Sequence, residues 1–257
     1  PVARSNSRAM ATVYETGHAK NVANFQDLIS FVTGYGAAYN PAKPTITLAS
    51  LGSKNTASVA ALAAVNVAHA DWVTAVNARD AVFAPFSKFV TRVVNAVEAS
   101  AVPPEVIADV RTIARKLQGV RATPKLPTIL DDPSTPEDES QKSISSSQLS
   151  FDNRIENFDK LIQLLAAQAG YTPNEGDLKV VGLTALHGSM VTLNLAVVDA
   201  YTALSNARIA RNEELYDFII GLVTVAAEVK SYVSSLFGAT SPEFQQIRGL
   251  KFTRVKI

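Results

Sequence analysis

Asn24-Phe25-Gln26-Asp27-Leu28-Ile29 returns 133 positions later as Asn157-Phe158-Asp159-Lys160-Leu161-Ile162. The echo continues in order. Tyr39-Asn40-Pro41 meets Tyr171-Thr172-Pro173, and Asn66, Ala68, Asp71, Thr74 and Ala75 meet Asn194, Ala196, Asp199, Thr202 and Ala203. Asn77-Ala78-Arg79 then meets Asn206-Ala207-Arg208. An ordered series whose offset drifts only from 133 to 128 reads as an internal duplication rather than shared helical composition.

The two copies predict an all-α chain of two tandem helical bundles, each of about four helices. The divisions are an N-terminal arm over 1–20, a first unit over 21–121, a linker over 122–150, a second unit over 151–250 and a strand-like tail over 251–257. Val22, Phe25, Ile29 and Val32 recur at spacings of three and four, which places them on one helical face. Leu62, Val65, His69, Trp72 and Val76 form a similar seam in a long helix from about Ala57. Its other faces are rich in alanine, which admits close neighbours and predicts a surrounded helix. Pro85 marks a kink or a new start, with Phe86, Phe89, Val90, Val93 and Val97 as the next apolar face. Pro103-Pro104-Glu105 and Ser241-Pro242-Glu243 read as helix beginnings, and Gly238 as a helix-ending glycine.

In the second copy, long helices are expected from about Leu178 to Arg211 and onward to Leu236. Leu215, Phe218, Leu222, Val225, Val229 and Val233 form the apolar row of the latter. The linker holds four prolines, seven serines and a cluster of acids, a composition that favours a solvated tether. Lys251-Phe252-Thr253-Arg254-Val255-Lys256-Ile257 alternates in polarity like a strand.

Composition narrows the function. With 47% hydrophobic residues the chain can bury a core, and 24 cations against 23 acids leave no field to hold a polyanion. No nucleic-acid partner is expected; the four cations Arg248, Lys251, Arg254 and Lys256 are the one local exception. The absence of cysteine removes disulfides, thiolate nucleophiles and zinc-thiolate sites together. The most apolar stretch read from the sequence, Phe218 to Val229, is interrupted by Glu228 and too short for a core of about 30 Å, so no transmembrane segment is expected. Cations without an apolar run open the chain, which reads as cytoplasmic by default; processing would make a cell-surface or extracellular location equally consistent.

Gly34-Tyr35-Gly36-Ala37-Ala38-Tyr39-Asn40-Pro41 and Ser205-Asn206-Ala207-Arg208-Ile209-Ala210-Arg211-Asn212-Glu213 resemble the pattern of an uncharacterised family of tandem-repeat helical proteins in Bacteroidota. Leu236-Phe237-Gly238-Ala239-Thr240-Ser241-Pro242 and Gly249-Leu250-Lys251-Phe252 resemble its C-terminal pattern. The resemblance implies the architecture alone, since that family has no known activity.

No catalytic constellation emerges. His18, His69 and His187 form no helical two-histidine metal face, and Glu15-Thr16-Gly17-His18 has di-iron spacing without a second copy. His69, beside Trp72 on the seam, reads as a core histidine. Gly34-Tyr35-Gly36 lacks the third glycine of a dinucleotide loop. No cofactor is expected.

One polar feature makes a physical demand. Arg79 and Arg208 both follow apolar seams, and a buried guanidinium needs a partner. Asp71 and Asp80 are the candidate acids for the first, Asp199 and Glu214 for the second, as structural ion pairs. Tyr35, Tyr39 and Tyr171 lie in equivalent loops, where they either form an interface or fasten a turn. With Phe252, Val255 and Ile257 of the tail they are the candidate interface.

These features predict a non-enzymatic structural protein that assembles with itself, its terminal arms docking on neighbouring copies. The alternative is a monomeric binding module that takes a protein or glycan ligand through the Tyr loops and an inter-repeat cleft. A small-molecule ligand is not expected.

Overall fold

A computed structural model describes residues 17–120 and 149–254. All regular structure among them is helical, as expected. The order is α1 (His18–Gly34), two short 3-10 turns at Gly36–Ala38 and Pro44–Ile46, α2 (Leu48–Phe83), α3 (Phe86–Glu98), α4 (Pro104–Gln118), α5 (Phe151–Ala166), α6 (Val180–Tyr216), α7 (Leu222–Phe237) and α8 (Pro242–Arg248). The punctuation residues act as their chemistry requires. Pro104 and Pro242 open α4 and α8, where a missing N–H costs nothing. Ser150 and Ser241 accept from the backbone N–H of Asn153 and Phe244, capping α5 and α8. Gly119 and Gly238 end α4 and α7 with positive φ.

The chain divides into two compact units, and their boundaries cut across the sequence halves. One unit contains the described residues through Ala70 together with those from Tyr201 onward; the other is Asp71–Ala200. A helix of 36 residues rises about 54 Å, more than the diameter of a small domain. An element packed on the first turns of α2 and one packed on its last turns therefore belong to different cores. The same holds for α6, with 37 residues. Each unit consequently joins the opening helix of one sequence half to the closing helices of the other.

In the first unit, Phe25, Leu28 and Val32 of α1 share a core with Leu222, Val225 and Val229 of α7 and Ile247 of α8. In the second, Phe158, Leu161 and Leu165 of α5 share one with Val90, Val93 and Val97 of α3 and Val110 and Leu117 of α4. The apolar faces expected on α1, α3 and α7 are the faces that the cores bury. Phe218 departs from that pattern: α6 ends at Tyr216 and α7 starts at Leu222, so Phe218 lies in a non-helical corner and is 82% exposed.

Both units fasten a loop in the same way. The Tyr39 hydroxyl donates to the Ile46 carbonyl and the Tyr171 hydroxyl to the Leu178 carbonyl, each at 2.7 Å and each seven residues downstream. Burial raises the pKa of both phenols, that of Tyr171 to about 12, so both stay protonated as donors.

One expectation is corrected by α2. The alanine-rich helix expected to be surrounded is α2, and Ala57, Ala60, Ala63 and Ala64 are exposed. The expectation of no membrane-length segment rested on Phe218–Val229. Among the described residues, the runs Leu48–Glu98 and Val180–Tyr216 are long and apolar enough to cross a bilayer by length and composition, with mean hydropathies of 1.4 and 1.5 in their best windows. Of those windows, 0% and 17% of residues are buried.

Gly170 tests the packing of the second unit. A Cβ placed there would come within 1.9 Å of the Ala101 carbonyl oxygen in the loop between α3 and α4, and backbone cannot rotate out of the way. Gly170→Ala should therefore cost about 1–3 kcal/mol by the usual range for overpacking. Chemical denaturation should show a lower midpoint at unchanged slope; an unchanged midpoint would mean that the loop yields freely.

Candidate functional site

The richest polar cluster lies in the first unit, where the start of α1, the end of α6 and the C-terminal segment converge. Asn21, 1% exposed, acts toward Thr253 as a neighbouring strand would. Its Oδ1 accepts from the Thr253 N–H at 3.0 Å and its Nδ2 donates to the Thr253 carbonyl at 2.8 Å. Asn24 adds a donation to the Lys251 carbonyl at 2.7 Å. The tail thus satisfies its backbone on asparagine side chains of α1, and no strand forms among its described residues.

Beneath the tail, Asn21 Nδ2 also donates to the Tyr216 hydroxyl at 3.2 Å, and that hydroxyl lies 2.8 Å from His18 Nδ1. The phenol oxygen accepts from Asn21, and which of Tyr216 and His18 donates in the second contact is set by the imidazole tautomer. Burial lowers the His18 pKa, helped by the cationic Arg211, and burial raises that of Tyr216. A neutral imidazole and a neutral phenol bonded to each other form a clamp between the start of α1 and the end of α6. Arg254 completes the lock by donating to the Tyr216 carbonyl, and to Thr224 Oγ1 at 2.8 Å.

The arginines expected to form structural ion pairs fare unequally. Arg79 Nε is 3.6 Å from Asp80 Oδ1, but Asp80 is largely exposed and Arg79 Nε, buried, has no hydrogen-bond acceptor. That guanidinium also lies over an aromatic face, with its carbon 3.7 Å from the Phe151 ring centre. Asp71 is exposed and takes no part in this contact. In place of the expected Arg208–Glu214 pair, Glu214 accepts from Ser58 Oγ at 3.1 Å and pairs with Lys54 at 3.2 Å. Arg208 and Asp199 are both exposed. Sequence reading missed Lys54 and Ser58 because their partner lies 156 or more residues away.

The candidate interface changes as well. Tyr39 and Tyr171 are each 5% exposed, fastening their own loops rather than offering a face to a partner. Tyr35 donates to the Glu243 carbonyl at 2.8 Å and stacks edge-on against Phe237, joining α1 to α7 and α8. Phe252 packs on the core of the first unit, with Lys230 Nζ 5.3 Å from its ring. Val255 and Ile257 lie outside the described residues. So does Glu15, whose spacing to His18 suggested a metal motif. His69, expected in the core, is exposed, and no cluster of three or more metal-ligating side chains occurs among the described residues.

Each unit also carries an apolar groove. In the first, Ala49, Ser53 and Ala57 of α2 face Ile220 and Val225 across about 540 Å³. In the second, Gly182 and Leu186 of α6 face Pro85, Phe86 and Phe89 across about 410 Å³. Comparison with models of known protein families, with curated proteins and with solved structures finds no match.

Two outcomes test the polar contacts. The depressed His18 pKa contributes stability that is fully present above the unfolded value of about 6.5 and lost as pH falls. Denaturation midpoints should fall between about pH 7 and pH 5, and the slope should flatten in His18→Gln; parallel slopes would dissociate His18 from the clamp. Arg79→Met keeps an apolar stem over Phe151 and leaves Asp80 solvated, so it should change stability by no more than about 1 kcal/mol, whereas Arg79→Ala forfeits the stacking. A large loss in the Met variant would show that the Arg79–Asp80 pair dominates.

Proposed function

We propose that this chain is a structural protein that assembles with copies of itself, built by duplication of a helical unit. The observation that carries the reading is the exposure of α2 and α6. Alanine along α2 suits close helix approach, yet the most apolar window of the Leu48–Glu98 run has no buried residue. Val59 and Val67 on α2, and Val181, Val191 and Leu195 on α6, are also exposed. Exposed apolar side chains repeated along one helix suit a surface that another molecule covers. The matched Tyr39 and Tyr171 fastenings and the reciprocal cores support the duplication. The arms carry less of the reading than the sequence suggested, because residues 251–254 dock on α1 of their own chain.

A second reading has its own observation. From Val180 to Val198, α6 contains no Asp, Glu, Lys or Arg over 19 residues, so a bilayer is the other environment that would cover it. Serine, threonine, asparagine and histidine within that stretch favour protein over lipid.

Light scattering with negative-stain microscopy over a range of concentrations should show defined oligomers or filaments in buffer without detergent. A monomer of about 27 kDa at every concentration would end the assembly reading. Flotation with phosphatidylcholine vesicles would then favour the membrane.

A further inference from the structure

The corner between α6 and α7 carries an apolar tip that the corresponding corner lacks. Two residues, Ala84 and Pro85, separate α2 from α3, whereas five, Asp217 to Gly221, separate α6 from α7. The longer corner includes Phe218, Ile219 and Ile220, which are 82%, 78% and 57% exposed. Three large apolar side chains in sequence, all facing water, contribute nothing to their own core.

The tip is held rather than loose. Asp217 Oδ1 accepts from the N–H groups of Ile219 and Ile220 at 2.7 and 2.8 Å, and these bonds keep its carboxyl below the usual range. Gly221 closes the corner, where a Cβ would meet the Asp217 backbone at 2.5 Å. The Arg254 guanidinium lies 4.4 Å from the Phe218 ring centre. A preformed, rigid apolar projection loses little entropy on docking.

The two grooves indicate what receives it. Each groove lies between the start of a long helix and the corner where the other long helix ends. In the first unit, Ile220 is itself one wall of the groove. In the second, the short corner contributes only Pro85, and Phe86, Phe89 and Leu186 complete the apolar lining. Lys88 and the ion pair of Arg92 with Asp177, at 2.6 Å, border that groove, while Asp217 and Arg254 flank the tip. Arg92 and Asp177 neutralise each other, which leaves the Lys88 cation at the groove opposite in sign to the Asp217 carboxylate beside the tip.

We propose that the Phe218-Ile219-Ile220 tip of one copy seats in the groove between α3 and the start of α6 of a second copy. The inference rests on the assembly reading and names its contact. Because tip and groove are different surfaces, the contact is heterologous and adds copies in series unless the rotation closes a ring.

The chain has no cysteine, so single introduced cysteines report contacts cleanly. Ile219→Cys, carrying a tag, is mixed with untagged Lys88→Cys and oxidised; Thr112→Cys, on the exposed face of α4, replaces Lys88→Cys as a control. The expected result is a mixed disulfide dimer with Lys88→Cys and at least tenfold less with Thr112→Cys. Ile219→Asp, exposed enough to leave the melting curve unchanged, should shift the scattering mass toward the monomer. If that variant assembles like the parent and no mixed dimer forms, the tip-and-groove contact is wrong and the assembly reading stands. If the parent chain is monomeric at every concentration, both fall.

Discussion

The length of α2 and α6 is the constraint from which the rest follows. At 36 and 37 residues, each helix extends past any core that one small unit can build around it. The helix that precedes α2 in the chain packs at its start, and the helices that follow pack at its end. Only elements from the other sequence half are left to complete each core, which is why α1 joins α7 and α8 while α5 joins α3 and α4. The asparagine contacts to the tail, the His18–Tyr216 clamp and the Lys54–Glu214 pair are local consequences, each joining residues at least 150 positions apart.

What the sequence made legible was local. Helical faces on α1, α3 and α7 follow from apolar spacing, and the starts of α4 and α8 follow from proline chemistry. The loop tyrosines were recognised as equivalent, but their burial depended on a carbonyl seven residues away that spacing does not identify. Partner choice was not legible. Arg208 and Glu214 are six residues apart on one helix, which points them to different faces, and the acid turns to Lys54 and Ser58 on α2. Phe218 fits an apolar row only if the helix ending near Leu236 starts before Leu215, whereas α7 starts at Leu222. The break at Asp217, where the side chain takes backbone N–H groups from a helical course, moves Phe218 out of that row.

Composition misled in one instructive respect. An alanine-rich helix was expected to be enclosed, and within a single chain α2 is not. Small side chains and exposed valines on α2 suit the self-assembly proposed above, and the near-equal numbers of cations and acids would impose little repulsion between copies.

The nested connectivity also sets an order of events during synthesis. The unit formed by Asp71–Ala200 is one continuous stretch, so all of its core residues emerge before α7, α8 and the tail do. The other unit needs α1 from the beginning of the chain and Thr253 from near the end, joined by contacts spanning up to 232 residues. As the chain leaves the ribosome, α1 emerges long before α7, α8 or the tail exists to cover Phe25, Leu28 and Val32. The interior segment therefore matures first, and α1 meets α7 and α8 in their shared core last, the step at which topology makes folding slowest.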